Sequence, residues 1–531
     1  MLYMKNIFLS GAVLMGMIGM SSCTKFLKEE PKSSQPLDAY FQTATQAQSA
    51  ANYLYTKDNG PGSFFVSRGF YDGTRAFSFD NMSGMSNNTV AQEPSIRFFS
   101  SLTQNSDGVG NYVGGIWTNF YGSIANANTI ISKMEASKTI DTVAKAPILA
   151  TAKFFRALDY YFLVRLFGAV PLILKPYTST DNLFAPRTSV DSVYTAIESD
   201  LTWALNNGLL TDKPMGSNAN QISKGSVAAV LSEVQLTMAG YPLQKGAAYY
   251  TKALATANTI LTSGGGYALF NNAGGTTAFD KLRLTGFDKG SEYLYFLEYD
   301  AAIQSNSYPL WSFPNSFPVP IPQSTLKVAY ATTTANWVPS TTLLNLYDSV
   351  NDIRRHNRQF YHNSFSYANT GGGTSTINYP TNAFRWFDSV AIFGTGSSSK
   401  YTDIYRLADV YLIAAEAANE LSQDPTPFIA PIINRAYVTP PVIPASQAGR
   451  RDLILAERFR ELAMENHFWF DLLRTRLYPD ADASHNVTFS PLIGHGNGRG
   501  QTYATKDLLM PLPPTEIQRN PNLRPQNPGY N

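Results

Sequence analysis

The feature that most constrains the fold is a series of segments with helical hydrophobic spacing, each followed by glycine or proline. The clearest is 147–167, where an apolar stripe runs through the segment and Gly168 and Pro171 supply the stop signals. Further helices are predicted over 37–57, 112–134, 190–204, 223–239, 247–262, 403–421 and 452–476. Successive helices of a few turns each predict antiparallel hairpins stacked like a solenoid, although no strict sequence period is present.

Two long stretches, 58–110 and 267–400, interrupt the helical pattern and are rich in glycine, proline and aromatic residues. Loops of such length most often carry function. Within the second stretch, short strands are predicted at 293–299 and near 384–387, and the glycine run 371–373 and the serine run 397–399 are predicted to be exposed loop tips.

The proline-rich end of the chain is predicted to pack as an extended strap rather than a helix, because proline interrupts helices. The whole of 37–531 is interpreted as one domain. Its parts are a helical scaffold (37–57, 111–264 and 401–476), two loop-rich binding regions (58–110 and 267–400) and a C-terminal strap (477–531).

Charge and composition narrow the choice of ligand. The 41 Lys and Arg residues against 39 Asp and Glu give a formal charge of +2, so the electrostatic footprint of a nucleic-acid binder is absent. Charged residues make up only 15% of the chain, whereas Phe, Trp and Tyr reach 13%. This composition suits uncharged polar ligands better than phosphates.

The only cysteine, Cys23, follows a start that is typical of a lipoprotein signal. Lys5 precedes an apolar run over 7–20, which is shorter than a membrane-spanning helix, and two serines lie directly before the cysteine. We therefore predict that 1–22 is removed, that Cys23 receives lipid, and that 23–36 forms a tether. The mature protein is expected to sit on a membrane through this anchor without spanning it.

A search for catalytic groups is largely negative. The five histidines form neither an H-E-x-x-H motif nor a cluster with cysteine, and no Walker loop or G-x-S-x-G elbow is present. Glu457, Glu461 and Glu465 recur every four residues beside Arg458 and Arg460, which indicates intrahelical pairs and a partly buried polar network rather than acid–base chemistry. A carboxylate pair for glycoside hydrolysis stays open, because its separation is a property of the fold.

Aromatic residues in the irregular stretches are the other candidates for a site. A sugar offers an apolar C–H face to an aromatic ring and a rim of hydroxyl groups to polar side chains. The predicted ligand-binding residues are Tyr71, Asp72, Arg75, Phe79, Asp80, Asn81, Tyr308, Trp311 and Trp337. Aromatic residues on helical stripes, such as Trp117, Trp203 and Trp469, are interpreted as core.

Several segments resemble the SusD/RagB family of Bacteroidetes outer-membrane nutrient-binding lipoproteins. They are CTKFLKEEP at 23–31, AKFFRALDYYFLVRLFGAVPL at 152–172, YRLADVYLIAAEA at 405–417, ERFRELAME at 457–465, WFDLLR at 469–474 and the proline-rich ending at 513–530. The resemblance implies a mainly α fold, with tetratricopeptide-like helix pairs packed against a loop-rich ligand-binding part that has few short strands.

The resemblance also implies a function. It is uptake of an oligo- or polysaccharide at the cell exterior, without catalysis and without a cofactor, in association with a SusC-like TonB-dependent transporter. A structural calcium ion stays open. Three alternatives remain at this stage: a peptide or glycopeptide cargo within the same family, a surface glycoside hydrolase, and a helical scaffold with no small ligand.

Overall fold

The computed structural model describes residues 40–56, 71, 77–87, 94–179, 183–311, 314, 321–326, 337–482 and 484–530. Its α-helices are α1 (Ala44–Tyr53), α2 (Ser78–Met82), α3 (Pro94–Ser100), α4 (Ser106–Ala136), α5 (Thr142–Phe167), α6 (Val190–Asn207), α7 (Lys224–Ala239), α8 (Ala247–Leu261), α9 (Ala278–Arg283), α10 (Tyr308–Trp311), α11 (Thr341–Asn345), α12 (Leu407–Glu420), α13 (Thr426–Ala436), α14 (Gln447–Glu461), α15 (Phe468–Thr475) and α16 (Pro514–Arg519). No helix in these ranges combines the length and apolar composition that crossing a bilayer requires.

Within the described ranges, strands are few and each pairs with one other strand. They are β1 (Ser86–Asn87), β2 (Tyr293–Leu297), β3 (Val338–Pro339), β4 (Tyr361–Ala368), β5 (Thr374–Ala383), β6 (Thr402–Arg406), β7 (Leu477–Ala481) and β8 (Val487–Pro491). The antiparallel pairs are β1 with β3, β2 with β6, β4 with β5 and β7 with β8. The mainly α fold class is confirmed.

Helix α5 packs against α4 and α6, and the stack continues from α6 to α7, from α7 to α8 and from α8 to α12. Nearly every residue of α5 from Ile148 to Phe167 is buried, so the helix is enclosed rather than packed along a single stripe. The buried arginine of this helix has partners on both neighbouring helices. Arg156 bonds the Asp200 carboxylate on α6 at 2.7 Å and the Asn128 side chain on α4 at 2.7 Å.

The single helix predicted over 452–476 is wrong, because two helices, α14 and α15, occupy this region. Met464 and Asn466 between them have left-handed backbones, each with a φ of 64°, which ends the helical hydrogen-bond ladder. The carbonyl of Met464 instead accepts a hydrogen bond of 3.1 Å from the indole of Trp386, a residue far away in the sequence. The interruption therefore depends on a distant partner.

Strand predictions had mixed outcomes. The strand predicted at 293–299 is present as β2, but the helix predicted from residue 403 begins later, since 402–406 is taken by β6 in its pairing with β2. No strand forms at 384–387, and the β4–β5 hairpin lies directly before this segment instead. The glycine tip of the hairpin, 371–373, is exposed as predicted. Within the serine run, Ser398 is buried, because its hydroxyl donates to Asp388.

The C-terminal segment also differs from the prediction. Residues 477–491 form the β7–β8 hairpin, and the tail beyond it includes the short helix α16, which begins at Pro514. Proline is compatible with the first turn of a helix, where its missing N–H has no partner to lose. The tail nevertheless packs along the scaffold as a strap does: Met510 donates a backbone hydrogen bond to Leu166 of α5.

The described residues form two hydrophobic clusters. The main one contains residues from Phe41 on the N-terminal side to Leu523 near the end of the chain. It joins the helices to the β2–β6 and β7–β8 strand pairs. A smaller one lies under the β4–β5 hairpin and contains mostly aromatic rings, among them Tyr367, Tyr379 and Phe384. The hairpin therefore has a core of its own.

A buried network of ion pairs joins α13, α14, β6 and the loops before them. Its members are Glu292, Asp352, Arg354, Arg385, Asp403, Arg406, Arg435, Glu457, Glu461 and Glu465. The polar network predicted around the three glutamates is present, but it is fully buried and most of its pairs are long-range. Arg460, beside the network, makes an intrahelical pair of α14 with Glu457 at 3.4 Å.

Candidate ligand-binding cleft

A cleft of about 720 Å³ opens within the second loop-rich stretch. Its walls come from the turn Thr285–Phe287, from the chain at 298–304 that follows β2, and from 399–401 ahead of β6. Leu297 pairs with Thr402, so the antiparallel ladder brings the last two segments together at one end of the strand pair. The cleft is thus built where both strands join irregular chain.

Asp288, which lines the cleft, forms a buried ion pair with Lys400. Burial raises the pKa of the Asp288 carboxyl and lowers the pKa of the Lys400 ammonium, because both charged forms lose water, while their mutual attraction opposes both shifts. The second Asp288 oxygen accepts the backbone N–H of Tyr401 at 3.0 Å. These contacts fix the turn at 285–288 against the start of β6.

Tyr401 is the aromatic surface of the cleft. Its ring stacks on Phe296, with centroids 5.2 Å apart and planes inclined by 30°, and its hydroxyl donates a 2.6 Å hydrogen bond to Glu298. Burial and this carboxylate raise the pKa of Tyr401, so its hydroxyl remains a donor at neutral pH. The Lys289 ammonium lies 5.8 Å from the ring centroid and 3.9 Å from Glu298. The ring is held in one orientation.

A tight turn at 300–304 forms another part of the rim of the cleft. The Asp300 carboxylate accepts the backbone N–H groups of Ala302 at 2.8 Å and Ile303 at 3.1 Å, and the Ala301 N–H donates to the Ser399 hydroxyl at 2.8 Å. The turn presents the Ile303 side chain, which is 84% exposed. An aliphatic group therefore lies beside the polar groups of the cleft.

This arrangement can bind a polyhydroxylated ligand. The Tyr401 ring and Ile303 offer apolar contact to C–H faces, while Lys289, Glu298 and Gln304 supply donors and acceptors for hydroxyl groups. Across the ranges that the structure describes, no group of three or more His, Cys, Asp or Glu side chains is placed to hold a metal ion. The expectation that no cofactor is needed stays a prediction.

The predicted residues of the first loop-rich stretch lie in the main core where they are described. Tyr71 packs edge-on against Phe162 with centroids 6.0 Å apart, Phe79 is 1% exposed, and Asn81 accepts a hydrogen bond from a neighbouring serine. Asp80 is fully buried, and burial raises the pKa of its carboxyl well above the usual value. A surface ligand does not reach these groups in this conformation, and their binding role stays a prediction.

The predicted residues of the second stretch are also mostly enclosed. Trp337 is 1% exposed and stacks on Phe77 with centroids 4.2 Å apart, and Tyr308 packs edge-on against both Trp337 and Trp386. Trp311 is half-buried at the end of α10. This cluster joins the two loop-rich stretches from within, and β1 pairs with β3 beside it.

Three predicted residues, Asp72, Arg75 and the lipidation site Cys23, lie outside the described residues.

Sequence reasoning missed the residues that form the cleft, chiefly Tyr401, Glu298, Asp300 and Ile303. One signal was available: Glu298 and Asp300 lie at the end of the predicted strand at 293–299, and the aliphatic Ile303 follows three residues after Asp300. The role of Tyr401 could not be predicted from the sequence, because its contact with Glu298 depends on how β2 pairs with β6.

The fold and the site define a mainly α-helical protein with a loop-built polar cleft, and comparison with known proteins identifies its family. A family model described as "SusD family" matches residues 324–530, and one described as "Starch-binding associating with outer membrane" matches residues 25–236. The chain belongs to the SusD/RagB family.

Individual relatives agree with this assignment. SusD-like protein P2 of Formosa agariphila is 27% identical over 79% of this chain and 81% of its own length. The crystal structure of a SusD superfamily protein from Parabacteroides distasonis superposes with a TM-score of 0.78 and 26% identity, covering 92% of this chain and 99% of that chain. A laminarin-binding SusD-like protein of known structure shares the fold, with a TM-score of 0.68, 22% identity and coverage of 92% of this chain and 99% of that chain.

Proposed function

We propose that this chain is a cell-surface lipoprotein that binds an oligo- or polysaccharide in the cleft beside Tyr401 and delivers it to a TonB-dependent transporter in the outer membrane. The observation that carries the proposal is the Tyr401 ring, held on Phe296 and oriented by its hydrogen bond to Glu298. An oriented ring next to hydroxyl-binding groups is the arrangement that a neutral sugar requires.

The family supports a carbohydrate ligand. One structural neighbour is a laminarin-binding protein, and others are surface glycan-binding proteins of Bacteroides uniformis and Bacteroides fluxus, with identities of 16% to 22%. At this distance the shared fold does not transfer a particular glycan, so the proposal is limited to the class of ligand.

Binding without catalysis fits the carboxylates of the cleft. Asp288 is neutralised by Lys400, Asp300 accepts two backbone N–H groups of its own turn, and Glu298 accepts the Tyr401 hydroxyl. A glycosidase needs one carboxyl group free to donate a proton and another free to act on the sugar or on water. The three groups instead hold the walls of the cleft together.

Anchoring and transport complete the proposal. Lipid attached to Cys23 would hold the protein at the outer membrane, and the description of one matching family model, which refers to association with the outer membrane, supports this location. Radiolabelled palmitate should be incorporated into the wild-type protein in cells and not into Cys23→Ala. Detergent-solubilised wild-type protein should also copurify with a TonB-dependent transporter. Purification of the protein without a transporter would contradict the transport step.

The ligand is tested with a panel of neutral polysaccharides that includes laminarin and starch. Affinity gel electrophoresis identifies a binding glycan, and isothermal titration calorimetry measures its affinity. Tyr401→Ala removes the ring and should weaken binding at least about tenfold, equivalent to about 1.4 kcal/mol. Tyr53→Ala, at a tyrosine of α1 that is 45% exposed and lies outside the cleft, is the matched control and should bind as the wild type does.

The other outcomes decide against the proposal. Binding of a peptide mixture with no glycan retarded would establish a peptide cargo. Steady release of reducing sugar from a bound glycan would establish a hydrolase. Equal affinity of Tyr401→Ala and wild type for the glycan would place the binding site away from this cleft.

A further inference from the structure

A second cavity, of about 220 Å³, lies between the helical scaffold and the C-terminal tail. It is bounded by the ends of α5 and α7, by the start of α6, by α15, and by residues 505–509 of the tail. Its interior is apolar: Val164, Phe470, Leu473, Leu508 and Leu509 line it. The proposed glycan function makes no use of it.

The charges around this cavity all have the same sign. Arg165, Arg474, Arg476 and Lys506 line it, and no Asp or Glu does. An apolar cavity with only cations around it suits a ligand that has an apolar body and a negative charge.

Three of the four cations have carboxylate partners outside the cavity. Arg474 bonds Glu416 at 2.8 Å, Lys506 bonds Asp507 at 2.7 Å, and Arg165 lies 3.4 Å from Glu233. Arg165 is in addition enclosed between aromatic rings, 3.7 Å from the Tyr161 centroid and 3.9 Å from the Phe470 centroid. Their charges are largely compensated.

Arg476 is the exception. Among the residues that the structure describes, no carboxylate lies within ion-pair distance of it, and its Nη1 is buried without a hydrogen-bond partner. Its guanidinium lies 5.2 Å from the Tyr241 ring, and both residues line the cavity. A buried guanidinium N–H without an acceptor is costly, and a bound anion would supply that acceptor.

The backbone of Arg476 gives a second, independent indication. It caps α15 in the left-handed conformation, with a φ of 59° and a ψ of 23°, where glycine is the favoured residue. A side chain that remains at such a position against the preference of the backbone indicates a role for the side chain itself.

We propose that this cavity binds a small organic anion, namely an aromatic carboxylate of about the size of benzoate. The carboxylate pairs with Arg476 and the ring occupies the space between Leu473, Leu508 and Phe470. The size is suitable, since a dry apolar cavity of about 150 Å³ is enough to hold benzene. The proposal is independent of the glycan cleft, which is built from other segments.

The test uses 4-fluorobenzoate as the probe. Fluorine NMR and calorimetry measure its binding to the whole protein. The wild type should bind it and should bind the uncharged 4-fluorobenzamide at least tenfold more weakly. Arg476→Gly should also weaken benzoate binding at least tenfold. This variant is suited to the question because glycine fits the left-handed backbone, so its thermal unfolding midpoint should be no lower than that of the wild type.

Arg519→Gly, at an arginine whose side chain is 73% exposed on α16, is the control and should bind the probe as the wild type does. Leu509→Trp, which fills the cavity, should abolish binding in a folded protein. No binding of the probe by the wild type, equal affinity for the acid and the amide, or equal affinity of Arg476→Gly and wild type would each overturn the proposal.

Discussion

Arg354 and Glu461 are separated by 107 positions in the sequence, yet Nη1 of the first lies 2.9 Å from Oε2 of the second, and neither side chain is exposed. The other Glu461 oxygen accepts Arg406 and Arg435, each at 2.7 Å. One carboxylate thus joins the end of α14 to β6, to α13 and to the turn at 353–355. The position of each element depends on the charges of the others.

Removal of one member of this network should be strongly destabilising. Arg354→Met would leave the carboxylates of Asp352 and Glu457 buried without their main partner, and breaking such a pair costs about 3–5 kcal/mol. Urea unfolding should show this loss. The control Arg519→Met breaks an exposed pair with Glu516 and should cost less than about 1 kcal/mol. Similar losses in the two variants would contradict the role of the network.

Two glutamates of the network should give the stability opposite pH dependences. Burial raises the pKa of Glu465 to about 7, although Arg406 opposes this. Burial also disfavours the charge on Glu461, but Arg435, Arg406 and Arg354 outweigh it and lower its pKa to about 2. Glu461 therefore stabilises the fold above its ordinary pKa of 4.5, and this contribution is lost as the pH falls through about 2.

Glu465 acts in the opposite direction, because the folded protein keeps a proton that the unfolded chain releases near 4.5. Its contribution makes the fold less stable as the pH rises from 4.5 to 7, by on the order of 3 kcal/mol. Glu465→Gln cannot titrate and should lose this slope. Urea unfolding at pH 5 and pH 7.5 measures it, and an unchanged slope in the variant would show that Glu465 titrates normally.

Substitutions of Trp337 test whether this residue belongs to the core or contacts the ligand. Its ring is enclosed against Phe77 and Tyr308, so Trp337→Ala should lower the free energy of unfolding by about 3–5 kcal/mol. Trp337→Phe keeps most of the packing and should lose less. A variant with unchanged stability and abolished glycan binding would instead support the ligand contact predicted from the sequence.

Gly286 allows the cleft to be blocked without disturbing the packing. A Cβ added there meets no atom within 4 Å, and the residue lines the cleft, so Gly286→Trp should fold normally and fill the space beside Tyr401. Glycan affinity should fall at least about tenfold, equivalent to about 1.4 kcal/mol. Gly394→Trp is the control, because it is equally unobstructed and lies outside the cleft. Wild-type affinity in Gly286→Trp would exclude this cleft as the site.

The helical scaffold could be predicted because its information is local. In α5 to α8 the apolar spacing, the caps and the following glycines all lie within the helix or next to it. The break between α14 and α15 could not be predicted, since the apolar pattern continues through it and its hydrogen bonds come from Trp386 and Arg406.

The candidate site was harder to predict from the sequence than the scaffold, for two physical reasons. In irregular chain no period distinguishes an inward from an outward ring, so the buried Tyr308 and Trp337 could not be separated from a surface ring such as Tyr401. The cleft also depends on the pairing of β2 with β6, which contains register shifts between Tyr293 and Phe296 that no local pattern encodes.

The buried charges and the cleft share few residues, and this separation bears on how such a protein can change its cargo. The ion network holds the scaffold, and we expect the replacement of a single member to cause a large loss of stability. The rim turn at 300–304, by contrast, is held by hydrogen bonds of its own backbone, by the Asp300 carboxylate and by one contact to Ser399. Substitutions at exposed rim positions such as Ile303 should therefore have little effect on the stability of the fold. Selection can alter ligand preference there while the scaffold stays the same.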